Sequence, residues 1–558
     1  MFEPRIIVPL GMQLIPSIDL PLHGSTACEN NSYSQFIKRI LAEDRIKRRY
    51  RKGMDLFRIL RWKVIWFFFL ILIDLSCLSL GWRPHIPIAP LGDRKHWVLV
   101  SCPTSKLEDF RKSTNQKFIS HFEENSISYL VFSRSIWESM DKTNLPLKEE
   151  TGNFGFKFFA ENYNYQMNKS VFDLSDLRLG YKDNLLNQKY LSVITNAYRD
   201  KVTLHSIGNS HSGLPILALK ITNDLSSRAN QTGVKLSVLF SCALHANEVT
   251  TTDHCYDIIY TLLSNKELDP YLQNLDVWVI PISNPDGSSA FWNLSHLNGR
   301  KNLIQNNNKG VDLNRNFPFH WGKSGSEYSS DKSDSPYYRG KEEASEPETR
   351  SLMRFFSEQK VIASISYHAF ANALLYPYSV EGYMNPQPDI AEQIGKKMVP
   401  MAKNAHPTKR FQLRKNIYPI DGVDQDYYFN QYGTLAYILE SSHFNPEYSS
   451  IPMIMDAYRG VWTKLLEEIS MGEKIIFKIQ SETGSPIEAK VELNTHKYFH
   501  VEPRKSHPKT GIFYHHTIVR SKGIAVIEAD GYEKKEIPFK SKSTWIPETI
   551  ILQRTMAE

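Results

Sequence analysis

Cysteine is scarce in this chain. Five occur in 558 residues (Cys28, Cys77, Cys102, Cys242 and Cys255), with no Cys-x-x-Cys pair. That excludes a dense disulfide framework and thiol-clustered metal sites. Cys242 lies in an apolar run and reads as a core residue, while a Cys242–Cys255 bridge is open but not readable from spacing. Also missing is any basic stripe with interleaved aromatics. The formal charge of +7 owes much to one cluster, Lys47-Arg48-Arg49-Tyr50-Arg51-Lys52, which precedes an apolar segment. The basic balance therefore reads as membrane flanking, and no nucleic-acid partner is expected. With 41% apolar and 23% charged residues, the chain can build a large core and global disorder is excluded. Its length suits one catalytic domain with one or two smaller modules.

Residues 1–53 have no periodic pattern and read as an extension upstream of a natural start at Met54. In 54–82, Arg58, Arg61 and Lys63 form a positive region ahead of the apolar run Val64–Ile73. This reads as a signal peptide or an uncleaved membrane anchor, although Asp74 is costly in a bilayer. Either reading exports the rest of the chain, periplasmic or extracellular, secreted or membrane-anchored. Residues 95–180 read as a small α/β module and linker. Strands are expected at His96–Ser101 and Ile127–Phe132, a helix at Lys106–Glu124, and helix-like character at Ser133–Met140.

From about 185 to 470, strands alternate with helices. Strands are expected at Val202–Ile207, Pro215–Thr222, Leu236–Leu244, Leu275–Ile282 and Val361–Tyr367. Helices are expected at Tyr190–Arg199, Asp253–Leu263 and from a Ser345-Glu346-Pro347-Glu348 capping box to Gln359. This order predicts an α/β sheet, partly parallel and covered on both faces, with ligands beyond the carboxyl ends of its strands. Two of those strands end in histidine. Leu236–Leu244 runs into His245-Ala246-Asn247-Glu248, and Val361–Tyr367 runs into His368. In a helical turn, His245 and Glu248 fall on one face. Two imidazoles and one carboxylate suit a single zinc ion with an open position for water.

Further stretches complete a pattern: Gly299-Arg300-Lys301-Asn302, Asp312-Leu313-Asn314-Arg315-Asn316-Phe317-Pro318, Ile417-Tyr418-Pro419-Ile420, Gln425-Asp426-Tyr427 and Ala436-Tyr437-Ile438-Leu439-Glu440. In order and spacing, with 123 residues between the two histidines, the chain resembles the M14 family of zinc carboxypeptidases. The resemblance implies an α/β/α sandwich around a mixed, mostly parallel eight-stranded sheet. It also implies one Zn2+ held by His245, Glu248 and His368. The catalytic residues would be Glu440, as general base towards the water and proton donor to the leaving amine, and Arg300, at the developing oxyanion. Arg315, Asn314 and Tyr418 would hold the substrate's free carboxylate. Peptide or protein C-termini are the implied substrates.

The pattern departs from many relatives where Leu303 replaces a second arginine. Asn247 and Gln425-Asp426 resemble the regulatory (carboxypeptidase N/E-like) branch. Ser379 follows Tyr376-Pro377-Tyr378 where that branch often carries an acidic residue, which leaves Asp421 or Asp424 as substitutes for binding a basic side chain. Residues 473–555 switch to short alternating runs and turns, an all-β sandwich that resembles the transthyretin-like domain of the same branch. Between 494 and 522, His496, His500, His507, His515 and His516 read as exposed loop residues, with a second metal site as the alternative. Two other functional classes stay open: a cell-wall peptide hydrolase or acyl-amino-acid deacylase on this fold, and a catalytically inactive binding protein.

Overall fold

The structure is a computed structural model. It describes residues 97–107, 120–124, 126–133, 172–178, 180–223, 235–292, 299–302, 310–369, 371–403, 410–441, 451–499 and 501–555, with isolated residues between 110 and 149. The expected extension and the 54–82 segment lie outside these residues. Among the described residues, no helix is long and apolar enough to cross a membrane.

The first described segment differs from expectation. β1 (Trp97–Pro103), β2 (Ser120–Glu124), β3 (Ile127–Ser133) and β4 (Lys148–Glu149) form an antiparallel sheet in the order β2-β3-β1-β4. The helix expected over Lys106–Glu124 gives way at its C-terminal end to β2, which pairs with β3 from Ser120 opposite Val131 to Glu124 opposite Ile127. Strand pairing across a tight turn outweighs the weak helical pattern there.

The elements of an α/β domain follow: α1 (Asn184–Ala197), β5 (Val202–Asn209), β6 (Pro215–Ile221), β7 (Leu236–Ser241), α2 (Thr250–Ser264), β8 (Leu275–Ile280), α3 (Pro285–Trp292), α4 (Pro347–Gln359), β9 (Val361–Ala369), β10 (Ala373–Leu375), α5 (Ile390–Met398), β11 (Gln412–Arg414), α6 (Asp424–Tyr432), β12 (Leu435–Ser441) and α7 (Ile451–Met471). Eight strands make one mixed sheet in the order β11-β10-β12-β9-β7-β8-β6-β5. Its centre, β12-β9-β7-β8, is parallel. Strands buried on both faces need apolar side chains in both directions, which is why β7, β8 and β9 are nearly continuous apolar runs. Val238 and Phe240 of β7 point into a core shared with α1, α2, α5 and α7. Leu239 points the other way, towards α4 and α6. The sheet is thus the middle layer of an α/β/α sandwich. Helix α4 begins one residue later than a Ser345 cap requires. Its N-cap is Glu346, without a side-chain cap bond, and Pro347 takes the first turn.

Cys242, just past β7, and Cys255 of α2 are joined by a disulfide with Cα atoms 6.3 Å apart. Cys242 is therefore a cross-link as well as a core residue.

The chain ends in a two-sheet β domain built from β13 (Glu473–Ser481), β14 (Lys490–Leu493), β15 (Arg504–Lys505), β16 (Ile512–Thr517), β17 (Lys522–Glu528), β18 (Lys535–Lys540) and β19 (Glu548–Leu552). The sheet β16-β13-β19 faces β15-β14-β17-β18 across a core containing Phe477, Val491, Phe513, Ile527 and Phe539. The histidines here correct the exposed-loop reading. His496, His507 and His516 are buried, and His515 and His516 lie on strand β16. Only His500 lies outside the described residues.

Candidate active site

Strand β7 delivers the first two groups. Beyond it the chain turns sharply at Ala243, whose φ of 51° is in the left-handed region, a strained geometry of the kind held at functional sites. The Glu248 N–H then donates to the His245 carbonyl at 3.1 Å, closing the helical turn that puts both side chains on one side. His368 arrives at the end of the neighbouring parallel strand β9. His245 Nδ1 lies 3.0 Å from Glu248 Oε1 and 3.1 Å from His368 Nδ1. His368 Nδ1 lies 3.3 Å from Glu248 Oε2. All three residues are buried.

Two imidazole nitrogens and a carboxylate oxygen turned to one point form a donor set that fits a zinc ion. The remaining ring nitrogen of His245 supports that fit, because Nε2 bonds the Asp312 carboxylate at 2.9 Å, which fixes the ring's tautomer. His368 Nε2 has Ser366 Oγ at 3.3 Å, and Ser366 also bonds the buried Asp424 carboxyl. The Ala369 N–H donates to Glu248 Oε2 at 2.9 Å. Burial pushes the Glu248 carboxyl up, but His245 and His368 together hold it below its ordinary value.

Asp312 organises the rest. Its Oδ2 accepts from Arg300 Nε at 3.1 Å and Nη2 at 2.7 Å, while Oδ1 accepts the Asn314 N–H at 3.0 Å. Burial opposes this charge, yet Arg300, His245 and Arg315 keep the Asp312 carboxyl well below its usual range. Arg300 thereby stands beside the metal donors, with Nη1 3.8 Å from Glu248 Oε1.

Arg315 is buried, and its guanidinium is oriented by the carbonyls of Tyr328 and Asn314. The ring of Tyr337 packs under both arginines, 5.1 Å from Arg300 Cζ and 5.7 Å from Arg315 Cζ. Tyr418 packs against Tyr328, ring centroids 4.2 Å apart and planes tilted by 31°. Burial raises the Tyr418 hydroxyl against the pull of Arg315 and Arg300, and Glu440 adds to the rise. Tyr418 therefore stands among both arginines and Glu440. Glu440 of β12 lies in register beside His368 of β9. Burial and the neighbouring Glu248 push its carboxyl up to about 8, against His245, Arg300 and Arg315.

Every residue expected in the site is brought to this one place. Asn314 is held more tightly than expected: its Oδ1 accepts the Asp424 N–H at 2.9 Å and its Nδ2 lies 3.5 Å from His368 Nε2. Asp421 is spent on the 322–329 loop, accepting Ser324 N–H at 2.7 Å and the Ser329 hydroxyl. Sequence reasoning gives no role to Asp312, Tyr328 or Tyr337, and offers Asp424 only for a basic substrate side chain, whereas its carboxyl bonds Ser366 beside His368. Asp312 was visible two positions before Asn314, whereas the two tyrosines sit in a Ser- and Tyr-rich loop with no periodic signal.

Residues 188–456 match the sequence profile of the family described as zinc carboxypeptidase. Metallocarboxypeptidase A of Trichophyton tonsurans is 29% identical over 261 residues, covering 44% of this chain and 59% of the relative. Carboxypeptidase O of Bos taurus is 28% identical over 229 residues, covering 39% and 58%. The chain thus spans under two thirds of the length of these curated relatives. Among solved structures, carboxypeptidase A of Helicoverpa armigera is similar at 19% identity and a TM-score of 0.47, over 67% of this chain and 97% of that one. Residues 188–456 of this chain belong to the M14 zinc carboxypeptidase family.

Proposed function

We propose that the chain is a zinc-dependent metallocarboxypeptidase that removes the C-terminal residue of peptides or proteins. The observation that carries this reading is the convergence of His245 Nδ1, Glu248 and His368 Nδ1 on one point, beside two buried arginines and a carboxylate raised by burial. A zinc ion held there would supply Lewis acidity, polarising the scissile carbonyl and acidifying a water. Glu440 takes the water's proton and returns it to the leaving amine. Arg300, fixed by Asp312, meets the charge that develops on the carbonyl oxygen. Arg315 pairs with the free carboxylate of the substrate, Asn314 adds a hydrogen bond, and Tyr418 closes over it.

The buried disulfide supports an exported protein, because such bridges persist in oxidising compartments. The basic-flanked apolar run at 54–82 supports the same localisation, with the membrane as a partner if that run stays uncleaved. The two-sheet C-terminal domain, with Asn247 and Gln425-Asp426, supports placement in the regulatory branch.

The test is C-terminal trimming of a peptide panel with and without a metal chelator, alongside Glu440→Gln. Loss of trimming in both arms is expected. Trimming that survives both would remove zinc and Glu440 from the mechanism.

A further inference from the structure

The junction between the catalytic domain and the C-terminal sandwich is tied by backbone. Gln387 and Lys497 exchange two N–H to carbonyl bonds of 2.9 Å each, and His507 Nε2 donates to the Ser357 carbonyl at 2.8 Å. Within the junction lies a cavity of ≈ 50 Å³, well above the roughly 10–15 Å³ needed to admit a water. Its polar lining is Arg504, His496, His515, His516, Tyr498 and Tyr514. Among the described residues no carboxylate lines it.

His496 and His515 face one another, Nε2 to Nε2, at 3.0 Å. That contact holds one proton: one nitrogen donates and the other accepts. Burial keeps both rings neutral. The His496 imidazole is pushed down to about 4, and His515 is pushed well down by burial and by the charges of His496, His516 and Arg504. The Arg504 guanidinium lies 4.9 Å over the Phe429 ring, donates to the Asn430 carbonyl and bonds the Tyr378 hydroxyl. Among the described residues no carboxylate pairs with it. His516 is 3% exposed, and its Nε2 has no hydrogen-bond partner. The charged groups behind His516 are Lys474, Glu468 and Lys397, two cations to one anion. A buried lining of guanidinium, imidazoles and phenols disfavours a metal cation and offers donors in several directions to an anion.

We propose that this cavity binds a small oxyanion of sulfate or phosphate type, held by Arg504 and the His496–His515 pair, and that binding takes up a proton on that pair. Without an anion, a second proton would set two imidazolium rings 3.0 Å apart beside Arg504. An oxyanion supplies the opposite charge and turns both facing rings into donors. Affinity therefore rises as pH falls.

Sulfate is the probe, because its charge is constant between pH 6 and 8. Calorimetric titration of sulfate into the full chain, at fixed ionic strength, should show one saturable site, at least about tenfold tighter at pH 6 than at pH 8. Arg504→Gln should weaken it at least about tenfold, while His496→Asn should keep binding and lose the pH dependence. Absence of a saturable site, or an affinity unchanged in Arg504→Gln, overturns the proposal. If Arg504→Gln fails to melt cooperatively, His496→Asn decides, and a pH ratio equal to that of the unaltered protein rejects the histidine pair as the proton acceptor.

Discussion

Asp312→Asn is the substitution whose consequences the geometry specifies most fully. Asp312 is completely buried and serves three partners: His245 Nε2 at 2.9 Å, Arg300 at 3.1 and 2.7 Å, and the Asn314 N–H at 3.0 Å. Asparagine keeps the shape and one acceptor oxygen, so His245 and Asn314 retain a weaker bond. What disappears is the negative charge, with two effects. The first is at the metal donors, where loss of an outer carboxylate behind a ligating histidine costs about 10–100-fold in metal affinity, or about 1.4–2.8 kcal/mol. The second is at Arg300, left as a buried cation. Breaking such a pair costs about 3–5 kcal/mol. The lower end applies here, because Glu248 Oε1 stays 3.8 Å away and Tyr337 stays under the guanidinium. Zinc titration against a competing chelator reads the first effect, and denaturant unfolding of the metal-free protein reads the second. Zinc affinity within twofold of the unaltered protein, together with an unchanged unfolding midpoint, would refute the assignment of Asp312 as organiser of the site.

Three further outcomes are expected. The two arginines should separate kinetically: Arg315→Lys raises KM most, because it weakens carboxylate binding, whereas Arg300→Lys lowers kcat most, because its charge matters in the transition state, and steady-state kinetics on one peptide distinguishes them. Replacing Cys242 and Cys255 together by serine opens a cross-link spanning 13 residues, which should cost about 3 kcal/mol in denaturant unfolding; an unchanged midpoint contradicts this. Asp426 gives a pH signature. Burial raises its carboxyl from 3.8 to about 7, even though Ser379 N–H donates to it. The folded state therefore binds the proton more tightly than the unfolded chain. This contribution is fully present below about pH 4 and is lost as pH rises towards 7, by up to about 1.4 kcal/mol per unit. Asp426→Asn should flatten the stability profile between pH 4 and 7, and an unaltered slope there contradicts it.

The central strands were legible because burial on both faces favours largely apolar runs broken only by small serines, as in Leu236–Ser241 and Val361–Tyr367. A polar side chain at the end of such a run stands out, so His245, Glu248 and His368 could be found. Groups that act on those side chains from other loops were harder. Asp312 had a motif beside it, but Tyr337 reaches both arginines from a loop whose path no periodicity encodes. Residues 120–124 were misread because SHFEE carries no strand signal of its own and is strand only through pairing with β3. The histidines of the C-terminal domain were read as exposed for a related reason. Their burial comes in part from the α/β domain packing against them at the junction, which local composition cannot reveal. The Cys242–Cys255 bridge needed the approach of α2 to the end of β7.

The most direct test of the proposed activity compares one peptide with a free C-terminal carboxylate and the same peptide amidated, each incubated with the zinc-loaded protein and followed by mass spectrometry. If Arg315, Asn314 and Tyr418 hold a free carboxylate as proposed, only the free peptide should shorten, one residue at a time from its C-terminus. Equal cleavage of both peptides, or cleavage at internal bonds, would contradict the account.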